Sequence, residues 1–288
     1  LENPPFDNEP LIRRIINANL YEGETENAER LAGFATKTNQ SEAMRVEAIR
    51  TMKHWENPSI FDRVTGRHRG EIQNNLGDAQ NALASVADQL LSDSSVDIQI
   101  AAIESVAELN VTEATEGVYA LVQNGQTPEV RAAALRGLQM LDYIDIDNAI
   151  ELALGDSEAS VRMTAISLIP NLDIDSETAV ALLGAAFQEE SVEEKQSALM
   201  AFSDLDGEAS YRFLNEQIDK MASGELPPEV HVELIETVNN LSSDELKSNL
   251  DSAMEEGASD GNEIALYRAS LRGGSAGQGA RVFYNNAA

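Results

Sequence analysis

The residue types that carry out catalysis or bind metals are few in this chain and lie far apart in sequence. Its three histidines are His54, His68 and His231, and no HExxH motif or P-loop is present. Cysteine is absent, which excludes disulfides, thiolate catalysis and cysteine-based zinc or iron–sulfur sites. Because catalysis needs a nucleophile, an acid or base and an oxyanion donor that converge on one point, we expect no enzymatic activity and no cofactor.

Two acidic turns resemble calcium-binding loops only in part. Asp142, Asp145 and Asp147 form the pattern D-x-x-D-x-D, and residues 204–207 read DLDG. Neither stretch has the twelve-residue loop with a final bidentate glutamate that an EF-hand requires. Both turns precede predicted helices, where aspartate side chains cap backbone N–H groups. The sequence therefore predicts capping at these turns and no metal site.

The densest basic cluster lies in residues 55–78, the least regular part of the chain. Pro58, Gly66 and Gly70 predict a loop there, and long loops in compact folds often carry function. Two interpretations of the basic side chains are open: they pair with acidic residues of neighbouring helices and fix the loop, or they bind a partner or an anion. Trp55, the only tryptophan, is either a large core residue beside the loop or part of an exposed recognition patch. The candidate partner-binding residues are Trp55, Arg63, Arg67, His68 and Arg69.

The helices that position these residues are predicted by an internal repeat. In residues 128–141, PEVRAAALRGLQML, the apolar side chains recur with the period of an amphipathic helix. Along the chain, an anchor residue has apolar neighbours one, four and seven positions later and a long polar residue three positions earlier. The anchors are Ala48, Ala102, Ala134, Ala165, Ala198 and Leu234. The polar residues at position −3 are Arg45, Gln99, Arg131, Arg162, Lys195 and His231.

The spacing of the anchors identifies the fold class. From Ala102 onward they follow one another at intervals of 32, 31, 33 and 36 residues. One helical hairpin has this length and is the unit of an α-solenoid. The pattern Val-Arg-x-x-Ala-Leu in the second helix of each hairpin resembles the HEAT repeat. The sequence therefore predicts an all-α fold, a right-handed α-solenoid of HEAT-like helical hairpins.

The same spacing predicts how the chain is organised. The interval from Ala48 to Ala102 exceeds the period by about 20 residues, which places a loop insertion at residues 55–78. Helix pairs then follow, from residues 82–92 with 96–109 to residues 244–254 with 262–271. We expect an irregular lead-in over residues 1–10 and a solenoid over residues 11–272. A Gly-rich linker over residues 273–288 is expected to lead toward a further domain, so the chain is interpreted as an excised segment.

The net charge of −30 is concentrated in the middle of the chain. Residues 1–70 hold 10 basic and 11 acidic side chains, residues 71–261 hold 7 and 38, and residues 262–288 hold 3 and 1. Such a surface repels phosphates, so we expect no nucleic-acid partner. Two interpretations are open: the charge maintains solubility, for instance in a saline medium, or it attracts a basic partner or cations. No long apolar run occurs, so we expect no direct membrane insertion.

Two short stretches are similar to one protein family. Residues 54–70 contain a W-x-x-P-x-x-x-D-x-V-x-G-x-x-R pattern, which resembles a segment in the HEAT-like region of large bacterial membrane-bound dehydrogenases. The tail, with Gly279, Val282 and Phe283, is similar to the lead-in of the c-type cytochrome domain that follows in those proteins. The resemblance implies a periplasmic or otherwise extracytoplasmic location and a spacer between a sugar-dehydrogenase-like propeller and a haem domain. It carries over no catalytic residue. The pattern is formed by Trp55, Pro58, Asp62, Val64, Gly66 and Arg69.

These observations predict a non-catalytic scaffold or spacer with a role in protein interaction. Its partners would be the flanking domains of a parent chain or another protein. One alternative is an independent acidic HEAT-like adaptor that binds a basic protein. Another alternative is an enzyme with a site in the insertion at residues 55–78.

Overall fold

The computed structural model describes residues 8–188 and 191–258 of the 288-residue chain. This part consists of helices and their connections, and its one β-type pairing is an isolated antiparallel bridge between Phe61 and His68. Short 3₁₀ helices cover Thr112–Ala114, Ile169–Asn171 and Pro228–Val230. The α-helices are α1 (Glu9–Glu22), α2 (Thr25–Ala35), α3 (Glu42–Met52), α4 (Leu76–Ala84), α5 (Ala87–Leu91), α6 (Val96–Glu108), α7 (Thr115–Asn124), α8 (Pro128–Met140), α9 (Ile146–Leu154), α10 (Ala159–Leu168), α11 (Ser176–Phe187), α12 (Val192–Phe202), α13 (Glu208–Ser223), α14 (His231–Asn240) and α15 (Asp244–Ala258).

Polar side chains define where several of these helices begin. Each accepts a hydrogen bond from a backbone N–H of the first turn, a group that has no partner within the helix. Asp145 is different: it stands at the N-cap position of α9, yet its side chain forms no cap. At residues 204–207 the N-cap of α13 is Gly207, and no side chain caps that helix either. Capping therefore explains neither acidic turn, and that prediction is wrong at both positions. The capping residues are Asn75, Ser95, Thr127, Asp175 and Ser191.

The chain divides into two compact units, one ending at Val161 and the other beginning at Arg162. In the first unit, α2 pairs with α3, α5 with α6, and α7 with α8 as helical hairpins. The second helices pack in the order α3, α6, α8, and α1 packs against α3 in the place of an earlier second helix. The first helices form their own row, in which α2 contacts α4, α5 contacts α7, and α7 contacts α9. This unit is a stack of hairpins.

Small and apolar side chains at the repeat positions form the core of the first unit. The anchors Ala48, Ala102 and Ala134 are fully buried between successive second helices. Gly137 allows α8 to approach α6 closely, because a Cβ at this position would lie 2.8 Å from Cγ2 of Ile103. Such short separations between helices give many dispersion contacts per residue.

The second unit repeats the arrangement. Helix α11 pairs with α12 and α13 with α14, while α12 packs against α14 and α13 against α15. Aromatic rings meet in this unit: Phe213 stacks on Phe202 with ring centroids 4.6 Å apart and meets Phe187 edge-on. The anchors of this unit, Ala165, Ala198 and Leu234, are fully buried.

The predicted fold class is confirmed, since the described residues form HEAT-like helical hairpins. The prediction of one helix over residues 82–92 is wrong, because α4 ends at Ala84 and α5 begins at Ala87. The hydroxyl of Ser85 donates to the carbonyl of Ala82 at 2.7 Å, which offers the backbone an alternative to continuing the helix. The predicted helix over residues 262–271 and the linker over residues 273–288 lie outside the described residues.

Candidate interaction surfaces

The long polar residue at position −3 has a structural role that the spacing alone did not reveal. Its side chain turns back and bonds to a backbone carbonyl at or just after the end of the preceding helix. These carbonyls have no partner within their own helix, so the bond ties the two helices of a hairpin together. The bonds are Arg45 to Ala35 O at 2.7 Å, Gln99 to Leu91 O at 2.9 Å, Arg131 to Gly125 O at 2.9 Å, Lys195 to Phe187 O at 2.9 Å, and His231 to Leu226 O at 3.0 Å.

All three arginines at position −3 bind a carboxylate that belongs to the next hairpin. Arg45 pairs with Asp93 in the loop before α6. Arg131 makes two hydrogen bonds to Asp156, at 2.6 and 2.9 Å. In the second unit, Arg162 binds Glu194 in the same two-pronged way, at 2.9 and 2.6 Å. We call these three pairs the arginine ladder; paired planar groups of this kind fix geometry as well as charge.

Two ladder carboxylates, those of Asp93 and Glu194, have pKa values below their ordinary values. Burial raises the pKa of Asp93, but hydrogen bonds from Arg45 and from the Ser95 N–H outweigh it and hold the pKa below its ordinary value. The hydrogen bond from Arg162 lowers the pKa of Glu194 more than burial raises it. Sequence reasoning missed these acids. Asp93 and Asp156 are each followed by serine in the loop inside a hairpin, and this shared Asp-Ser step is the signal that would have found them.

The insertion loop, residues 53–75, connects α3 to α4 and is built around Asp62. This side chain is almost fully buried and accepts hydrogen bonds from the N–H groups of Val64 and Thr65 and from Arg69. Burial raises the pKa of Asp62, but these bonds together lower it well below its usual range. Gly66, with a φ of 69°, completes the turn by donating its N–H to the Asp62 carbonyl at 2.7 Å.

The insertion loop is fastened to the first helices of the chain. The hydroxyl of Tyr21 donates to the carbonyl of Ser59 at 2.7 Å, and the Asn74 amide donates to the carbonyls of Leu20 and Trp55. Arg63 reaches α3 and pairs with Glu47 at 2.9 Å. A loop held at these points presents a fixed outer surface.

The structure separates the predicted partner-binding residues into two groups. Trp55 is fully buried, and its indole N–H donates to the carbonyl of Asn75 at 3.0 Å, which places it in the core and removes it from any exposed patch. Arg63 and Arg69 form ion pairs that fix the loop. Arg67 and His68 are exposed, and the His68 ring lies edge-on to Phe61, with centroids 5.4 Å apart.

The acidic part of the chain provides a second candidate surface, because it has few cations and three of them bind groups inside the fold. Arg131 and Arg162 belong to the ladder, and Lys195 bonds to the Phe187 carbonyl. On the surface, Arg212 pairs with Glu177 and Lys220 with Glu216. Against these stand 38 acidic residues between positions 71 and 261. The outward field of this region is therefore negative.

Two searches of the described residues bear on other kinds of site. In residues 8–188 and 191–258, no three His, Asp or Glu side chains lie close enough to hold a metal ion together. No helix among the same residues is long and apolar enough to cross a membrane.

Comparisons with known proteins support the fold and nothing finer. YibA of Escherichia coli, a HEAT-like helical solenoid, has 18% sequence identity and a TM-score of 0.51 over 91% of this chain and 90% of its own. An engineered protein follows with 16% identity and a TM-score of 0.42 over 80% and 96% of the two chains. The complex of CpcE and CpcF of the phycocyanin lyase from Nostoc sp. PCC7120 has 14% identity and a TM-score of 0.32 over 88% and 98%. No protein-family model and no curated protein sequence matches the chain. The link to dehydrogenases gains no support from these comparisons.

Proposed function

We propose that this chain is a non-catalytic scaffold whose acidic surface binds a basic protein. The observation that carries the proposal is the position of the cations: Arg131, Arg162 and Lys195 bind groups inside the fold, so they do not neutralise the carboxylates outside it. If the charge served solubility alone, its position on the surface would not matter. The proposal therefore requires the negative charge to lie at a particular place on the surface.

Such a scaffold would bind its partner through electrostatic attraction. A negative surface on rigid hairpins raises the local concentration of a cationic partner and speeds its association, and added salt weakens the effect. The helices would remain fixed while the partner docks, because the ladder and the carbonyl bonds tie neighbouring helices together.

Lysozyme serves as a basic probe protein for the test. Calorimetric titration of the full chain at about 50 mM and about 300 mM NaCl should give binding that weakens strongly with salt. Two variants with equal loss of charge locate the surface. Asp97→Asn/Glu113→Gln/Glu151→Gln removes exposed acids of the acidic region, and Glu26→Gln/Glu29→Gln/Glu42→Gln removes exposed acids of the near-neutral region.

We expect the first triple variant to bind the probe more weakly and the second to bind like the unmodified chain. Equal weakening in both variants would show that only total charge matters, which is the solubility interpretation. Absence of any salt-dependent binding would also contradict the proposal.

A second candidate function, a spacer that holds flanking domains apart, is favoured by the ladder. Arg45–Asp93 and Arg131–Asp156 join consecutive hairpins within the first unit, which stiffens that unit along the stack. A place in a dehydrogenase-like parent and a periplasmic location follow from the sequence resemblance and stay predictions.

Stiffness is measurable because the chain has no cysteine of its own. Spin labels at Glu29→Cys and Glu151→Cys, both exposed and both in the first unit, should give one narrow distance distribution. Adding Arg131→Ala should broaden it, since the tie between consecutive hairpins is lost. A distribution that is already broad without Arg131→Ala would contradict the spacer role.

A further inference from the structure

Two turns of the first unit share one backbone conformation. After α6, Asn110 has a φ of 52° and the Val111 N–H donates to the carbonyl of Val106 at 2.9 Å. After α8, Asp142 has a φ of 49° and the Tyr143 N–H donates to the carbonyl of Leu138 at 3.1 Å. These are the same repeat positions, so any difference between their side chains is not imposed by the fold.

The outward-facing side chains of the two turns differ in kind. Glu108 and Thr112 occupy positions +6 and +10 from the anchor in the first turn, and both are exposed and polar. Met140 and Ile144 occupy the same positions in the second turn, with 57% and 89% of their surface exposed. In the other repeats position +6 is always polar, and position +10 is polar except in the Ala48 repeat, where it is Pro58 of the insertion loop. At position +6 the polar residues are His54, Asn171, Asp204 and Asn240, and at position +10 they are Asp175, Glu208 and Asp244.

The free-energy cost of exposing these two apolar side chains calls for an explanation. A fully exposed isoleucine forgoes the favourable transfer from water that burial gives, typically about 2 kcal/mol. The same turn accepts threonine elsewhere in this chain, so the backbone does not require isoleucine. Isolated exposed apolar residues need no explanation, but here two occur within one turn, at positions that are polar in the other repeats except for Pro58 in the insertion loop.

The same turn and the neighbouring helix α7 also carry acidic and aromatic groups. The rings of Tyr119 and Tyr143 lie 5.3 Å apart, and the pKa of Tyr143 is raised by burial and by the carboxylates of Glu116 and Asp145. Asp142 and Asp147 are exposed, and among residues 8–188 and 191–258 neither forms an ion pair. The turn thus combines a projecting apolar centre with a border of negative charge.

We propose that this turn, here called the Met140–Ile144 patch, is where a basic, amphipathic segment of a partner protein docks. The proposal rests on the function proposed above and names the contact. Apolar side chains of the partner would cover Met140 and Ile144, while its lysines or arginines would face Asp142, Asp145 and Asp147. An anionic membrane surface is repelled by the same aspartates, and a second copy of this chain carries the same charge of −30.

The test uses the full chain and a fluorescein-labelled amphipathic peptide of leucine and lysine, followed by fluorescence anisotropy. The key variant, Met140→Glu/Ile144→Thr, introduces the residue types found at Glu108 and Thr112, so the repeat itself shows that the turn accepts them. We expect binding at least about tenfold weaker, because the buried centre of an interface contributes most of the affinity. Circular dichroism of the variant monitors the fold.

Two controls separate the charged from the apolar contribution. Met200→Glu adds the same single negative charge at another exposed methionine, and this variant should bind like the unmodified chain. A peptide with alanine in place of leucine keeps its charge but lacks the large apolar side chains. It should therefore bind Met140→Glu/Ile144→Thr and Met200→Glu with equal affinity.

The possible outcomes are distinct. If the unmodified chain binds no basic peptide, this proposal and the function above both fail. If it binds, but Met140→Glu/Ile144→Thr and Met200→Glu bind equally well, only the Met140–Ile144 patch is wrong. If sedimentation equilibrium shows self-association that Met140→Glu/Ile144→Thr abolishes, the occupant is a second copy and the proposal is overturned in that form.

Discussion

The arginine ladder and the insertion loop both pair arginine with a buried carboxylate, but in different surroundings. The Arg45 side chain is 6% exposed and that of its partner Asp93 is 8% exposed. In the insertion loop, Arg69 is 47% exposed, while its partner Asp62 is 1% exposed. Both arginines bind a buried acid, but only the Arg45 side chain is itself buried.

This difference indicates which partner is indispensable in each region. Asp62 keeps two backbone N–H donors whether or not Arg69 is present, so the insertion loop depends on its acid. In the ladder, Arg45 serves both Asp93 and the Ala35 carbonyl, so its loss leaves two buried groups without this donor. Unsatisfied buried polar groups are costly, whereas exposed ion pairs contribute little.

The largest effect is expected for Arg45→Ala. Removing one member of a buried ion pair typically costs about 3–5 kcal/mol of unfolding free energy, because the other charge remains buried. Urea unfolding should show this loss. Arg50→Ala, an exposed arginine on the same helix, and Arg69→Ala should each cost about 1 kcal/mol or less. A loss for Arg45→Ala no greater than that for Arg69→Ala would contradict the comparison.

A smaller and local effect is expected for Asp62→Ala. The N–H groups of Val64 and Thr65 lose their acceptor, at a cost of about 1–3 kcal/mol that falls on the insertion loop alone. Hydrogen exchange at these two amides should accelerate, while amides of α6 and α8 keep their protection. Glu71→Ala, an exposed acid of the same loop, is the control. Faster exchange across α6 as well would mean that the loop and the hairpins unfold together.

Acidification should weaken the ladder through its carboxylates. The pKa values of Asp93 and Glu194 are lower in the folded chain than in the unfolded chain, where they are about 4. The stabilisation is therefore complete above about pH 5 and is lost as the pH falls through the folded-state values, since the unfolded chain takes up protons first. In Asp93→Asn, the decrease in unfolding free energy from about pH 6 to about pH 3 should be smaller. Asp97→Asn, at an exposed position, should leave the decrease unchanged.

The smallest effect is expected for Arg67→Ala. Its side chain is exposed at the tip of the insertion loop, and no ion pair among residues 8–188 and 191–258 involves it. The unfolding free energy should change by less than about 0.5 kcal/mol, as for most surface substitutions. A loss similar to that of Asp62→Ala would show that Arg67 also holds the loop.

Much of the fold was predictable because the same helical pattern recurs six times in the sequence. The residues buried between successive second helices, such as Ala48, Ala102 and Ala134, are small. A repeat with the length of one helical hairpin also leaves few alternative folds. The break between α4 and α5 was not predictable in this way, since a local serine hydrogen bond competes with a helical pattern that is otherwise continuous. The candidate site was predicted less well: basic residues were grouped by their proximity in sequence, although Arg63, Arg67 and Arg69 have different roles.

The sequence by itself determined the helical hairpins, the loop insertion and the sign of the surface charge, because these depend on periodicity and composition. The tertiary structure alone decided that Arg45 meets Asp93 across 48 positions, that Trp55 is buried, and that Met140 and Ile144 face solvent. A periodic pattern records which side of a helix is apolar, whereas burial of a given side chain depends on the neighbour that packs against it. Neighbouring residues cover Trp55 completely, whereas most of the surface of Met140 and Ile144 stays exposed among the described residues.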